Sequence, residues 1–168
     1  MLLECTVPLS IRDAAPSDAP QISQAIELLQ EYERELHDTR LPGVEIAESY
    51  LRWIASRAAE SGAMLVAETS GGFVGFVAGW IEQDDAIAET RDSNRFGYVS
   101  DICVLPGWRG RRIATRLLEA MEQRLAGFGI SRLRINALAN NMSARVSYER
   151  AGFGPYEVMY EKRLERQA

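Results

Sequence analysis

The segment Val104-Leu-Pro-Gly-Trp-Arg-Gly-Arg-Arg-Ile-Ala114 gathers Arg109, Arg111 and Arg112 into a Gly-containing turn between a strand pattern and a helix pattern. Free amides at a helix N-terminus bind phosphate, and the helix dipole assists. Three cations there disfavour helix initiation unless an anion lies nearby. A pyrophosphate accounts for their position; a merely basic surface turn is the alternative. No Gly-Lys-Ser/Thr follows and the glycine spacing is not that of a dinucleotide fingerprint, so this is neither a P-loop nor a Rossmann turn. Upstream, Asp101 alternates with Val99 and Cys103, so it is expected on a strand face with apolar neighbours. A carboxylate there is exposed, bonded to something specific, or catalytic. Cys103 has no histidine near it in sequence, and an unperturbed thiol is only a few per cent ionised at pH 7, so it reads as a strand residue rather than a nucleophile.

At these residues the chain resembles the GNAT superfamily of acetyl-CoA-dependent N-acetyltransferases. The family turn is Arg/Gln-x-x-Gly-x-Gly/Ala after Val-x-Pro. Val104, Pro106, Arg109, Ile113 and Ala114 match, while Arg112 stands where the middle glycine belongs. A second family pattern, Asn-x-x-Ala-x-x-x-Tyr-x-x-x-Gly-Phe, is complete in Asn141, Ala144, Tyr148, Gly152 and Phe153. The resemblance covers roughly residues 10–164, thinly over the first 60.

The resemblance implies that the backbone of Arg109, Gly110, Arg111, Arg112, Ile113 and Ala114 cradles the coenzyme A pyrophosphate. It implies that the main chain of Ile102, Cys103 and Val104 bonds the pantetheine arm, and that Asn141 touches that arm. Tyr148 is placed near the thioester sulfur as the acid for the leaving thiolate. Asp101 is placed as base or water-positioner for an amine acceptor, with a structural hydrogen-bonding role as the alternative; Glu82, Asp84 and Asp85 are runners-up. Arg112 either turns outward or contacts a phosphate. The implied reaction is direct attack of a primary amine on acetyl-CoA in a ternary complex. A coenzyme A-binding sensor or interaction module without catalysis is the alternative, which would need no Tyr148.

The elements needed to position these groups follow from periodicity. Asp18 as N-cap, with Ile22, Ala25, Ile26, Leu29 and Leu36, predicts a helix over 19–37. Ile46, Tyr50, Trp53, Ile54 and Ala58 mark a second helix ending at Ser61-Gly62. Strands are expected at 10–14, 64–69, 73–81, 96–105, 132–138 and 156–164, with a loop or short excursion at 82–95. Helices are expected from about 111 to 126 and from 140 to 151. The order β-α-α-β-β-β-α-β-α-β predicts a mixed α/β domain, residues 1–168, with a mixed central sheet and helices on both faces. The GNAT resemblance implies that the strands at 96–105 and 132–138 splay apart.

Composition narrows the classes. The chain has 168 residues, 46% of them hydrophobic and 26% charged, as an ordinary globular domain has. The two cysteines, Cys5 and Cys103, form no disulfide framework, and with His37 as the single histidine a metal site is not expected. No signal peptide or membrane span is evident, so a reduced, cytoplasmic protein is expected. A net charge of −5 argues against a nucleic-acid partner. Residues 1–95 hold 17 acidic and 7 basic side chains (net −10), and residues 96–168 hold 7 and 12 (net +5). That split suits a polyanion on the C-terminal half and a cationic small-molecule or peptide amine near the N-terminal half. A homodimer is also open.

Overall fold

The computed structural model describes residues 8–164. Cys5 and the opening segment lie outside the described residues. The elements are β1 (Ser10–Asp13), α1 (Ala19–Leu36), α2 (Gly43–Ser61), β2 (Gly62–Thr69), β3 (Gly72–Gln83), α3 (Arg91–Asn94), β4 (Arg95–Val104), α4 (Ile113–Ala126), β5 (Leu133–Ile135) and α5 (Met142–Arg150). They form one mixed sheet in the order β1-β2-β3-β4-β5, antiparallel throughout except for the parallel pair β4-β5.

Each sheet face carries its own apolar cluster. On one, Leu117, Leu118, Met121 and Leu125 of α4 pack on Leu65, Val77 and Val99. On the other, Ile22, Ala25 and Ile26 of α1 and Ile54 of α2 pack on Val66, Phe76, Trp80 and Cys103. The apolar stripes of the helices select these faces, because one-sided helices must bury that side. Gly75 and Gly79 in β3 lie under β4: a Cβ would meet the Cys103 carbonyl at 2.5 Å or that of Tyr98 at 2.8 Å.

Four details depart from expectation. Ser100 is an extra residue in β4: Gly79 pairs with Val99 and Ala78 with Asp101, which leaves Ser100 unmatched. Such a bulge reverses which face the following side chains meet. Val99 therefore joins the α4 cluster and Cys103 the α1/α2 cluster, so Asp101 shares a face with Cys103 but not with Val99. Asp18 precedes α1 but does not cap it; its carboxylate takes the Ala15 amide and the Arg12 guanidinium, both at 2.7 Å. β5 is only Leu133–Ile135, and Ala137 lies beyond it. The strand expected at 156–164 does not form. A three-residue β5 offers little edge to pair against. That segment is tied by side chains instead: Tyr156 lies under Arg134, His37 meets Glu161 at 3.3 Å, and Arg163 pairs with Asp38.

No helix among the described residues is long and apolar enough to cross a membrane, and no group of side chains there could hold a metal ion.

Candidate active site

The parallel pairing of β4 with β5 runs only from Gly97↔Leu133 to Val99↔Ile135. It stops where the Ser100 bulge begins, so residues 101–104 pair with β3 alone and leave their other edge open. A cavity of about 920 Å³ occupies the split. It runs from α1 across β4 to the N-terminus of α4 and the inner side of α5.

The arginine turn closes one end. Gly110 and Arg112 both hold left-handed backbone, φ 76° and φ 60°. Arg112 is the residue before α4, where it offers no capping side chain, and no acid lies in the first turn. The amides of Gly110 to Thr115 find no acceptor among the described residues; the first helical bond is from the Arg116 amide to the Arg112 carbonyl, 3.1 Å. This is an uncapped, cation-rich helix N-terminus facing a cavity, and it suits an anion. Arg109, Gly110, Arg112, Ile113 and Ala114 line the cavity. Arg111 does not; its guanidinium stacks 4.8 Å from the Trp108 ring centre.

Arg112 explains why glycine is usual at this turn. A side chain in left-handed backbone costs about 1–2 kcal/mol, against about 0.5–1 kcal/mol for the extra unfolded-state freedom of glycine. Arg112→Gly should therefore stabilise the protein by roughly 0.5–1 kcal/mol, raising Tm by about 1–4 °C. Thermal unfolding without ligand checks it; an unchanged or lower Tm would count against strain at this position.

The second motif consists of the two ends of α5. Asn141 caps its N-terminus, its Oδ1 accepting from the Ala144 amide at 3.1 Å. At the other end the Phe153 amide bonds the Tyr148 carbonyl (3.0 Å) and the Gly152 amide bonds that of Glu149 (3.1 Å), with Gly152 at φ 92°. This is a Schellman cap, and the Tyr148–Phe153 ring contact at 6.2 Å is its customary apolar clasp. The Tyr-x-x-x-Gly-Phe spacing thus locks the helix turn that carries Tyr148. Asn141 and Tyr148 both line the cavity. Burial pushes the Tyr148 phenol well above its ordinary pKa, and the negative charges of Glu33 and Asp101 add to this.

Asp101, Ile102, Cys103 and Val104 form the β4 wall. Asp101 is 8% exposed. Its carboxylate accepts from the Tyr50 hydroxyl (3.0 Å) and the Ser100 hydroxyl (2.6 Å), and among the described residues no cation pairs with it. Burial raises its pKa, against the lowering effect of those two hydroxyls. Burial also pushes the Cys103 thiol up to about 11, with Arg109 opposing and Asp101 adding, so this sulfur stays protonated at neutral pH.

Glu82 is occupied by Arg57 at 2.7 Å and by the Trp80 indole. Asp84 faces Arg134 at 3.9 Å, and neither these two nor Asp85 lines the cavity. Of the carboxylates weighed as base, the cavity includes Asp101. Sequence reasoning passed over Tyr50 and Glu33. Glu33 had a signal: it stands four residues after Leu29 and three before Leu36, within the apolar stripe of α1.

A mixed sheet split at its parallel pair, with helices on both faces, defines the fold class of the GCN5-related acyltransferases. The chain belongs to the acetyltransferase (GNAT) family, whose model matches residues 23–153. It is 30% identical over 77 residues to an uncharacterised N-acetyltransferase, YycN, of Bacillus subtilis (strain 168); the match covers 46% of this chain and about half (49%) of that protein. Among solved structures it resembles the aminoglycoside N-acetyltransferase AAC(6')-Iy in complex with CoA, with TM-score 0.68 and 19% identity over 97% of this chain and 100% of that one. It also resembles a predicted acetyltransferase of Clostridium acetobutylicum solved with acetyl-CoA, with TM-score 0.71 and 20% identity over 93% and 96%.

Proposed function

We propose that this protein transfers the acetyl group of acetyl-CoA to a small, cationic primary amine by direct attack in a ternary complex. The observation that carries the reading is the split between β4 and β5, with unpartnered amides at its α4 end and Asp101 and Tyr148 lining it. The pyrophosphate would lie on the amides of 110–115, and the pantetheine arm would follow the open edge of β4. Acetyl-CoA supplies an activated thioester carbonyl. A free β4 amide polarises its oxygen. An amine near pKa 10.4 must lose a proton to attack at neutral pH, and Asp101 takes it directly or through water. The C–N bond forms, the C–S bond breaks, and the Tyr148 hydroxyl donates to the departing thiolate. A nucleophilic Cys103 has no place in this route, because its thiol is held protonated.

The test is a panel of amines incubated with acetyl-CoA, following thiol release together with the mass of the acetylated amine. Product with at least one primary amine supports the reading; thiol release without acetylated amine, or no release, overturns it. Cofactor binding is checked separately. CoA should raise Tm, because it binds the folded state alone. Arg109→Ala should weaken CoA binding by about tenfold, the loss of one charge-assisted contact. Arg124→Ala should not, since Arg124 pairs with Asp13 at 2.6 Å and does not line the cavity. Equal effects of the two substitutions would refute the placement of the phosphate.

A further inference from the structure

We infer that Glu33 selects the acceptor, and that the acceptor is a small amine bearing a second positive charge. The second charge sits against Glu33 while the reacting nitrogen faces Asp101. This inference rests on the amine-acetylating reading above.

Glu33 interrupts the apolar stripe of α1, so the helix presents a carboxylate where the stripe calls for an aliphatic side chain. It lines the same cavity as Asp101 and Tyr148, and its side chain is 22% exposed. One oxygen, Oε2, is held by Arg40 Nε at 2.6 Å. The other, Oε1, has no hydrogen-bond partner among the described residues, although a carboxylate can accept about four hydrogen bonds. Arg40 thus fixes the group while leaving acceptor capacity unused.

Both signs of charge line the cavity: Arg112 stands at the N-terminus of α4, Arg109 reaches across to the Tyr32 ring of α1 (5.8 Å), Glu119 and Arg150 lie along α4 and α5, and Asp101 and Glu33 lie on β4 and α1. Glu33 is close enough to Asp101, Tyr50 and Tyr148 to raise the proton affinity of all three. Asp101 has hydroxyl partners only. Among the described residues Arg40 answers one oxygen of Glu33 and no cation answers Asp101, so a ligand with two separated cations can meet both the free Glu33 oxygen and Asp101, where one cation meets a single carboxylate. A neutral tail of the same length would leave the Glu33 Oε1 without a partner, which is how a charged wall discriminates between isosteric ligands.

The experiment compares wild type, Glu33→Gln and Glu33→Asp on a series of linear α,ω-diamines of three to six carbons. Alkylamines of matching length serve as controls. The amide introduced by E33Q retains an oxygen for Arg40, and an unchanged KM for acetyl-CoA with cooperative thermal unfolding establishes that the variant is folded. Wild type is expected to favour the best diamine over its matched alkylamine by tenfold or more in kcat/KM. E33Q should abolish most of that preference through KM, leave the alkylamine within about threefold, and be partly rescued by E33D. A wild type without diamine preference, or E33Q losing both amines alike, overturns the assignment of Glu33 alone. Transfer to no amine by wild type overturns the transferase reading and this one with it.

Discussion

Tyr148→Phe is expected to lower kcat by about 10- to 100-fold while leaving acetyl-CoA affinity and folding nearly unchanged. The ring is held by the Schellman cap of α5 and packs on Phe153, and phenylalanine preserves both features. What is lost is one hydroxyl, which has no hydrogen-bond partner among the described residues. A thiolate of pKa about 8.5 leaves against a phenol of ordinary pKa about 10, already uphill by about 2 kcal/mol for full proton transfer. Burial raises the phenol further, so complete transfer is less favourable still. Tyr148 therefore serves chiefly as a hydrogen-bond donor to developing negative charge. Such a bond is worth about 1.5–3 kcal/mol, which sets the range of the predicted loss. The thioester sulfur of bound acetyl-CoA is uncharged, so the effect falls on kcat rather than on binding. Steady-state kinetics with the preferred acceptor decides: wild-type turnover in the Phe variant would return Tyr148 to the role of a packing aromatic.

The Tyr148 motif was legible because it is local. Asn141, Gly152 and Phe153 act within one helix and its two caps, so spacing along the chain carries their geometry. The same holds for the α4 stripe from Ile113 to Leu125 and for the hairpin turn at Gly71-Gly72. Features of longer range were not legible in spacing along the chain, and the splay of 96–105 from 132–138 was expected only through the family resemblance. The alternation of Val99, Asp101 and Cys103 gives no sign of a bulge, yet Ser100 is extruded, the face reverses and the strand pair opens there. The bond from Tyr50 to Asp101 joins residues 51 apart, and nothing in the helix pattern around Tyr50 anticipates it. The segment from Tyr156 to Leu164 reads as a strand, but a strand needs an edge, and β5 supplies three residues. What periodicity recorded was which residues want burial. Where a sheet splits is decided by partners distant in sequence, and the cavity lies at that split.

Asp101→Asn should show the opposite signs of stability and activity that a buried catalytic carboxylate carries. Burial is the main cause that raises its pKa above the ordinary value of about 3.9, with the charge of Glu33 adding and the Ser100 and Tyr50 hydroxyls opposing. Between those two pKa values the folded protein keeps a proton that the unfolded chain has released. Stability therefore falls as pH rises through that window. Asparagine cannot ionise, and its amide can still meet both hydroxyls. The variant should thus melt higher than wild type at pH 7, and the difference should vanish below about pH 4. Its kcat/KM should fall by about 10²- to 10⁴-fold, the range for loss of a positioned base, with CoA affinity unchanged. The deficit should shrink as pH approaches the amine's own pKa, because free amine then needs no base to form. Wild type should also lose activity on acidification at a pH above the ordinary carboxylate range, and the variant should lack that limb. A variant with wild-type kinetics but an altered Tm would make Asp101 a structural partner of Tyr50. A variant with lowered Tm and weakened CoA binding would show that the charge is required for the fold itself.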